Sequence, residues 1–212
     1  MSRLAPTPAP AEVSGDLWAV LETAQQLSRE TEGAFDVTVG PLTKLWRRAI
    51  RRRKLPAPSR LHDAQAATGY TALVLHPESR AVELRKPNMR LDLGGIAKGY
   101  AVDQALLELQ RLGITRALVN ASGDMSASGP PPGKPGWLVG VAPLQPTAPA
   151  SVFGYLAHQS IATSGDAFQY VEIDGQRYSH ILNPHTGLGL KTRSSVSILA
   201  DEGMRADAVA SA

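Results

Sequence analysis

Leu17, Val20, Leu21, Ala24 and Leu27 recur at helical spacing. They predict an amphipathic helix over 15–31, with Ser14 as N-cap and Gly33 as stop. A second helix is expected from Pro41, where a missing N–H costs nothing, through Leu42, Leu45 and Ile50 into a run of arginines. Val and Leu are frequent at 71–76 and 81–86, and the residues between, Pro77-Glu78-Ser79-Arg80, have turn composition, so a hairpin is predicted. A strand over 90–93 should follow. Gly94 and Gly95 then lead into a long helical pattern, Ile96, Tyr100, Ala101, Ala105, Leu106, Leu109 and Leu112, closed by Gly113. Beyond it the pattern gives a strand at 115–120, a flexible Pro/Gly stretch at 129–136, a strand at 137–142 and two short strands within 151–163. Segments 168–174 and 176–181 flank Asp174-Gly175, a type I′ hairpin signal. A last strand at 194–200 precedes a helical tail. Hairpins outnumber crossovers, and no βαβ alternation or internal repeat is visible. The expected class is α+β, with mixed, largely antiparallel sheets flanked by helices. Residues 1–13, rich in Pro and Ala, read as a disordered lead-in, and 14–212 as the folded domain.

Composition narrows the chemistry. The 212 residues contain no cysteine, which excludes disulfide scaffolds, zinc ribbons, thiol nucleophiles and cysteine-held clusters. No run approaches the roughly 18 apolar residues that span a bilayer, and Met1-Ser2-Arg3 opens without the apolar stretch of a secretory signal, so a soluble chain is expected. The net charge of +3 and the pI near 9.3 come from one place. Lys44, Arg47, Arg48, Arg51, Arg52, Arg53, Lys54 and Arg60 stand together with no acid among them, and without them the chain would be net negative.

Phosphate motifs of the GxGxxG and GxxxxGK types are absent. In their place stands Leu91-Asp92-Leu93-Gly94-Gly95-Ile96-Ala97-Lys98, an acid, a glycine pair and a lysine in the first helical turn. A helix N-terminus with unpaired N–H groups, glycines that admit a ligand and a lysine charge suit an anion, most simply a phosphate. A plain glycine turn with a surface lysine is the alternative. In Ser179-His180-Ile181-Leu182-Asn183-Pro184 a His closes a strand before a rigid turn, where a fixed imidazole could serve as general base or simply pack. Asp207 and Ser211 stand at i and i+4 on one helix face, a spacing that suits a hard cation such as Mg²⁺ and is equally common in surface pairs. The turns Asn120-Ala121-Ser122-Gly123-Asp124 and Thr163-Ser164-Gly165-Asp166 could line a pocket or cap strands. In Gly33-Ala34-Phe35-Asp36-Val37-Thr38, Asp36 or Thr38 could cap the next helix.

Taken in order, GAFDVTVGPL, LDLGGIAKGYAVDQA, ALVNASGD, SIATSGD, SHILNPHTG and ADAVASA resemble the FAD:protein FMN transferase family, the flavin transferases of the ApbE type. The resemblance implies an enzyme that binds FAD with Mg²⁺ and passes the FMN half to a Thr or Ser hydroxyl of an acceptor flavoprotein, releasing AMP. It implies that Ala34, Phe35, Asp36, Asp92, Lys98 and Ile181 contact FAD and that Gly95, Asp207, Ala210 and Ser211 serve Mg²⁺, Gly95 through its carbonyl. His180 takes the place of the base for the acceptor hydroxyl. The family usually has two glycines before the Asp of the ALVN segment, and Ser122 replaces the first here. Family members usually carry a further N-terminal strand and loop and continue beyond the metal helix, and from the resemblance neither is expected in these 212 residues. Relatives act mostly at the outer face of the bacterial inner membrane, which implies a periplasmic or extracytoplasmic location and possible association with the membrane surface.

Two further functions use the same contacts: hydrolysis of FAD to FMN and AMP, with water in place of the acceptor, and flavin binding without catalysis. Nucleic acid is not expected as a partner, because the basic run has only Trp46 near it and no nucleic-acid motif accompanies it. A solvated helix face that meets an acidic partner or anionic headgroups is the simpler reading of that run.

Overall fold

A computed structural model describes residues 9–141, 144–145, 149–150, 152–167 and 169–212. In chain order the elements are β1 (Ala11–Glu12), α1 (Gly15–Glu30), α2 (Gly40–Arg52), α3 (Pro58–Ala66), β2 (Leu73–His76), β3 (Ala81–Leu84), α4 (Ala97–Arg111), β4 (Leu118–Ala121), β5 (Asp124–Ala127), β6 (Trp137–Val141), β7 (Val152–Leu156), β8 (Gln159–Gly165), β9 (Tyr170–Ile173), β10 (Gln176–Ser179), β11 (Leu182–Asn183), β12 (Leu188–Gly189), β13 (Ser195–Ala200) and α5 (Gly203–Ala210). Every strand pair is antiparallel, and the class is α+β. The chain divides into two compact units, each built from two stretches: 1–93 with 169–193, and 94–168 with 194–212.

In the first unit, Ser14 caps α1 by accepting the Leu17 N–H, and the helix buries Val20, Leu21, Ala24 and Leu27. The sheet order is β1-β3-β2. Strand β1 corrects the expected lead-in: Ala11 and Glu12 pair with Val82 and Ala81, because an extended segment can satisfy the open edge of a hairpin whatever its composition. Residues 1–8 lie outside the described ones. The predicted strand at 90–93 is not a strand. It touches residues 37–39 by one parallel bridge, Val39 to Arg90, and by the Asp92 N–H donated to the Val37 carbonyl. The unit's second stretch carries the hairpins β9–β10 and β11–β12. At the turn of the first, Asp174 and Gly175 both have positive φ, as a type I′ turn demands. Trp46, 1% exposed, is the anchor: it packs with Ala49, Val171, Ile173 and Tyr178, and its Nε1–H donates to the Ser179 carbonyl.

The second unit is a four-stranded sheet in the order β13-β8-β5-β4, with the hairpin β6–β7 as a separate pair. Ala127, Val139, Leu156 and Ile161 form one core cluster, and Ala162, Ala206 and Ala210 another, where α5 lies on β8. Alanines at that contact let the helix approach the sheet closely. Helix α4 approaches α5 more closely still, for a Cβ on Gly99 would stand 2.1 Å from the Gly203 carbonyl oxygen. Only glycine fits there.

Candidate functional site

In the second unit three predicted residues come together at the start of α4. Gly94 to Ile96 make the turn that enters the helix, Gly95 half-buried within it, and Lys98 follows in the first turn. The Lys98 ammonium forms a close ion pair with Asp124 and lies 3.9 Å from the nearer Asp207 oxygen. The other Asp207 oxygen accepts the Gly99 N–H at 3.1 Å. The open helix N-terminus anticipated for a phosphate thus already holds one anion, the Asp207 carboxylate. Burial pushes Asp207 up to about 6, with the neighbouring Asp124 carboxylate adding to the rise and the Gly99 N–H and Lys98 opposing it.

Asp103 fixes where Asp207 stands. One Asp103 oxygen accepts the Gly203 N–H at 2.9 Å and the other the Met204 N–H at 3.1 Å, so a side chain of α4 caps the first turn of α5. Ser126 Oγ donates to the same carboxylate and is within 2.7 Å of Ser160 Oγ, which ties the cap to β5 and β8. One turn beyond Asp207, Ala210 ends α5 and Ser211 is its C-cap.

Among the described residues, the side-chain acceptors brought together here are the oxygens of the Asp207 and Asp124 carboxylates. Such donors suit Mg²⁺ rather than a soft metal. Two carboxylates beside one ammonium also leave an excess of negative charge that a cation would balance. The residues therefore fit the ion, although no group of three acidic or histidine side chains occurs among the described residues; serine and backbone oxygens would complete the set.

The first unit holds the other predicted residues. Phe35 and Asp36 are buried and Ala34 is partly so. Asp36 accepts the Thr38 N–H at 2.7 Å, and burial raises its pKa against that hydrogen bond. The Asp92 N–H donated to Val37 brings Asp92 beside this loop. Its carboxylate accepts the Thr43 hydroxyl at 2.7 Å and pairs with Arg47 at 3.2 Å, so α2 orients it with two side chains one turn apart.

His180 follows β10 in an exposed turn. Its Nδ1 lies 3.0 Å from the Gln169 carbonyl oxygen, which can only accept, so Nδ1 carries a proton and donates it there. The backbone beneath is fixed. The Ile181 N–H donates to Ser179 Oγ, its carbonyl accepts the Leu190 N–H, and Asn183 Oδ1 accepts the N–H groups of His185 and Thr186.

The sequence reading missed Asp103, Thr43, Arg47 and Trp46, and left Asp124 undecided between lining a pocket and capping a strand. One signal for Asp103 was present: it follows Gly99 by four residues, so it shares the helix face whose missing side chain marks a close neighbour.

The family model for the ApbE family matches residues 1–212. A Haemophilus influenzae protein named FAD:protein FMN transferase is 34% identical over 206 residues, which takes in 93% of this chain and 59% of the relative. One of that name from Treponema pallidum is 33% identical, covering 96% of this chain and 60% of its own length. The chain spans about three fifths of these curated relatives. Among solved structures, the ApbE protein of Thermotoga maritima superposes with a TM-score of 0.85 at 34% identity, over 96% of this chain and 66% of that one. The flavin transferase ApbE from Vibrio cholerae gives 0.85 at 32%, over 98% and 66%.

Proposed function

Since the chain belongs to the ApbE family, we propose that it transfers FMN from FAD to a Thr or Ser hydroxyl of an acceptor flavoprotein, with Mg²⁺ required and AMP released. The observation that carries this reading is the cluster of Lys98, Asp124 and Asp207 at the start of α4, where a hard cation would find carboxylates and a diphosphate an ammonium. Bound Mg²⁺, held by Asp207, Ser211 and the carbonyls of Gly95 and Ala210, would supply neutralisation of the diphosphate and the leaving group.

The chain's own groups do the rest. Lys98, its side chain 45% exposed, shares its charge between Asp124 and a substrate phosphate. Ala34, Phe35, Asp36, Asp92 and Ile181 are assigned to hold FAD. His180 Nε2 takes the proton of the acceptor hydroxyl as that oxygen bonds to the phosphorus of the FMN half. The bond from this phosphorus to the bridging oxygen breaks, and AMP leaves with the electron pair. The Nδ1–H bond to Gln169 stabilises the imidazolium formed. An extracytoplasmic site of action, with possible membrane-surface association, belongs to the same reading and rests on the family.

The test is incubation with FAD and a Thr-bearing acceptor peptide, in Mg²⁺ or in EDTA, followed by mass spectrometry. A Mg²⁺-dependent FMN adduct with stoichiometric AMP is expected. His180→Ala should slow it by about 10²- to 10⁴-fold, the usual share of a general base, and Asp207→Ala should remove the response to Mg²⁺. AMP and FMN without adduct would replace transfer by hydrolysis; neither product from a folded chain would leave a flavin-binding protein.

A further inference from the structure

Helix α2 has two faces with different occupations. Arg47 turns to Asp92, whereas Lys44, Arg48, Arg51 and Arg52 line a trough of about 1180 Å³ that α3 and residues 88–90 complete with Arg60 and Arg90. Asp63 is the one acid on its wall, and among the described residues none of the six cations is ion-paired. Buried Ala64, Ala67 and Met89 and half-buried Leu45 supply an apolar lining below the charges. A smaller hollow of about 250 Å³ shares Leu45, Arg48, Arg52 and Arg60 and prolongs the trough towards Lys54.

Local structure does not account for this charge. Arg51 and Arg52 suit the C-terminal end of the α2 dipole, but Lys44 follows directly on a first turn that has no acid, and Lys44, Arg48 and Arg52 repel one another at i, i+4. A surface that keeps such repulsion is relieved by an anionic partner. The trough is larger than a usual small-molecule pocket, and its concavity does not match a planar bilayer. No aromatic residue lines it, so bases have nothing to stack on. A charged rim over an apolar lining suits a polypeptide that carries acids and aliphatic side chains together.

We propose that this trough docks an acidic, leucine-bearing segment of a protein partner and, resting on the transferase reading above, that the partner is the acceptor to be flavinylated. The segment is held away from the reacting hydroxyl, so it acts on acceptor affinity and on the rate of encounter rather than on the chemical step.

The test has two arms on the full chain. In the first, without FAD or metal, a labelled peptide of Glu and Leu at helical spacing is titrated by fluorescence anisotropy. Binding should weaken steeply with salt and fall at least about tenfold in Arg48→Glu/Arg52→Glu; Arg60→Glu on α3 gives the same reading if the double variant does not fold. No binding, or tighter charge-dependent binding of single-stranded DNA or of anionic-lipid vesicles, overturns the proposal. In the second arm, a Thr acceptor peptide with the Glu/Leu segment attached is compared with one lacking it. The same variant should raise KM only for the tailed acceptor, leaving kcat and KM for FAD unchanged; equal KM changes for both acceptors overturn the assignment to the acceptor. Failure of transfer itself would show as loss of adduct in the unaltered chain, with the anisotropy result standing.

Discussion

Asp207 occupies a place that disfavours its own charge, since it is buried and faces a second carboxylate, with the Lys98 charge and the backbone N–H groups of Gly99 and Lys98 to compensate. The sign follows from proton counts. With its folded pKa near 6 and its ordinary value 3.8, the native state binds more protons between those limits, so this group's stabilisation is present at low pH and lost as pH rises through about 6. The loss is on the order of 2–3 kcal/mol. Chemical denaturation without metal should therefore show Asp207→Asn gaining on the parent between about pH 4 and 7, and a constant difference would count against the raised pKa. In the Mg²⁺-bound form proposed above, protons and the ion would compete for the same oxygens, so a Mg²⁺-induced rise in melting temperature should fade below about pH 6. At this scale the sequence was informative where spacing determines proximity, as with Ser14, whose side chain accepts the Leu17 N–H three residues on. It was silent where proximity comes from distant strands: nothing near Asp124 in the chain announces that Lys98 will meet it, 26 residues away.

The elements that hold the site are joined by backbone contact more than by side chains. Helices α4 and α5 meet at Gly99 and Gly203, with Asp103 closing the contact. Gly99→Ala must push backbone apart, not a flexible side chain, and is expected to cost at least about 3 kcal/mol and to abolish the thermal response to Mg²⁺. Calorimetry with and without the ion checks both. The β4–β5 turn carries a smaller strain, because Ser122 sits at φ +55°, where a Cβ is disfavoured. Ser122→Gly should raise stability by about 0.5–1 kcal/mol in urea denaturation. Helices α1, α2 and α4 were legible because their apolar residues repeat over three or more turns. Helix α3 was not, since Pro58–Ala66 is short and buries one alanine. Strand β5 was missed because Asp-Met-Ser-Ala has little β propensity and is ordered by pairing on both sides. Residues 90–93 show the opposite error, alternation without a partner strand.

At the scale of the whole molecule the chain order and the folded units disagree. The stretch bearing His180 belongs with the first 93 residues, and the last 19 belong with residues 94–168. Local patterns predict elements one at a time and say nothing about such membership. Removing 194–212 strips β13 from β8 and Ala206 and Ala210 from Ala162. Amides of β5 and β8 should then exchange rapidly while the Trp46 cluster keeps its protection, as hydrogen-exchange mass spectrometry would reveal.

The junctions of this arrangement lie side by side. Gly165 pairs with Ser195, the Asp166 N–H donates to the Ser194 carbonyl, and the Ser194 N–H returns a bond to the Asp166 carboxylate at 3.2 Å. The stretch 169–193 leaves and re-enters at the end of one antiparallel pair, so to the β8–β13 sheet it is an enlarged hairpin loop. Lengthening such a loop costs that sheet little, since closure entropy grows only with the logarithm of its length. The β8–β13 sheet therefore tolerates changes in the length of this insertion, so residues can be added to or removed from it at one closed neck without redesigning the sheet that it interrupts.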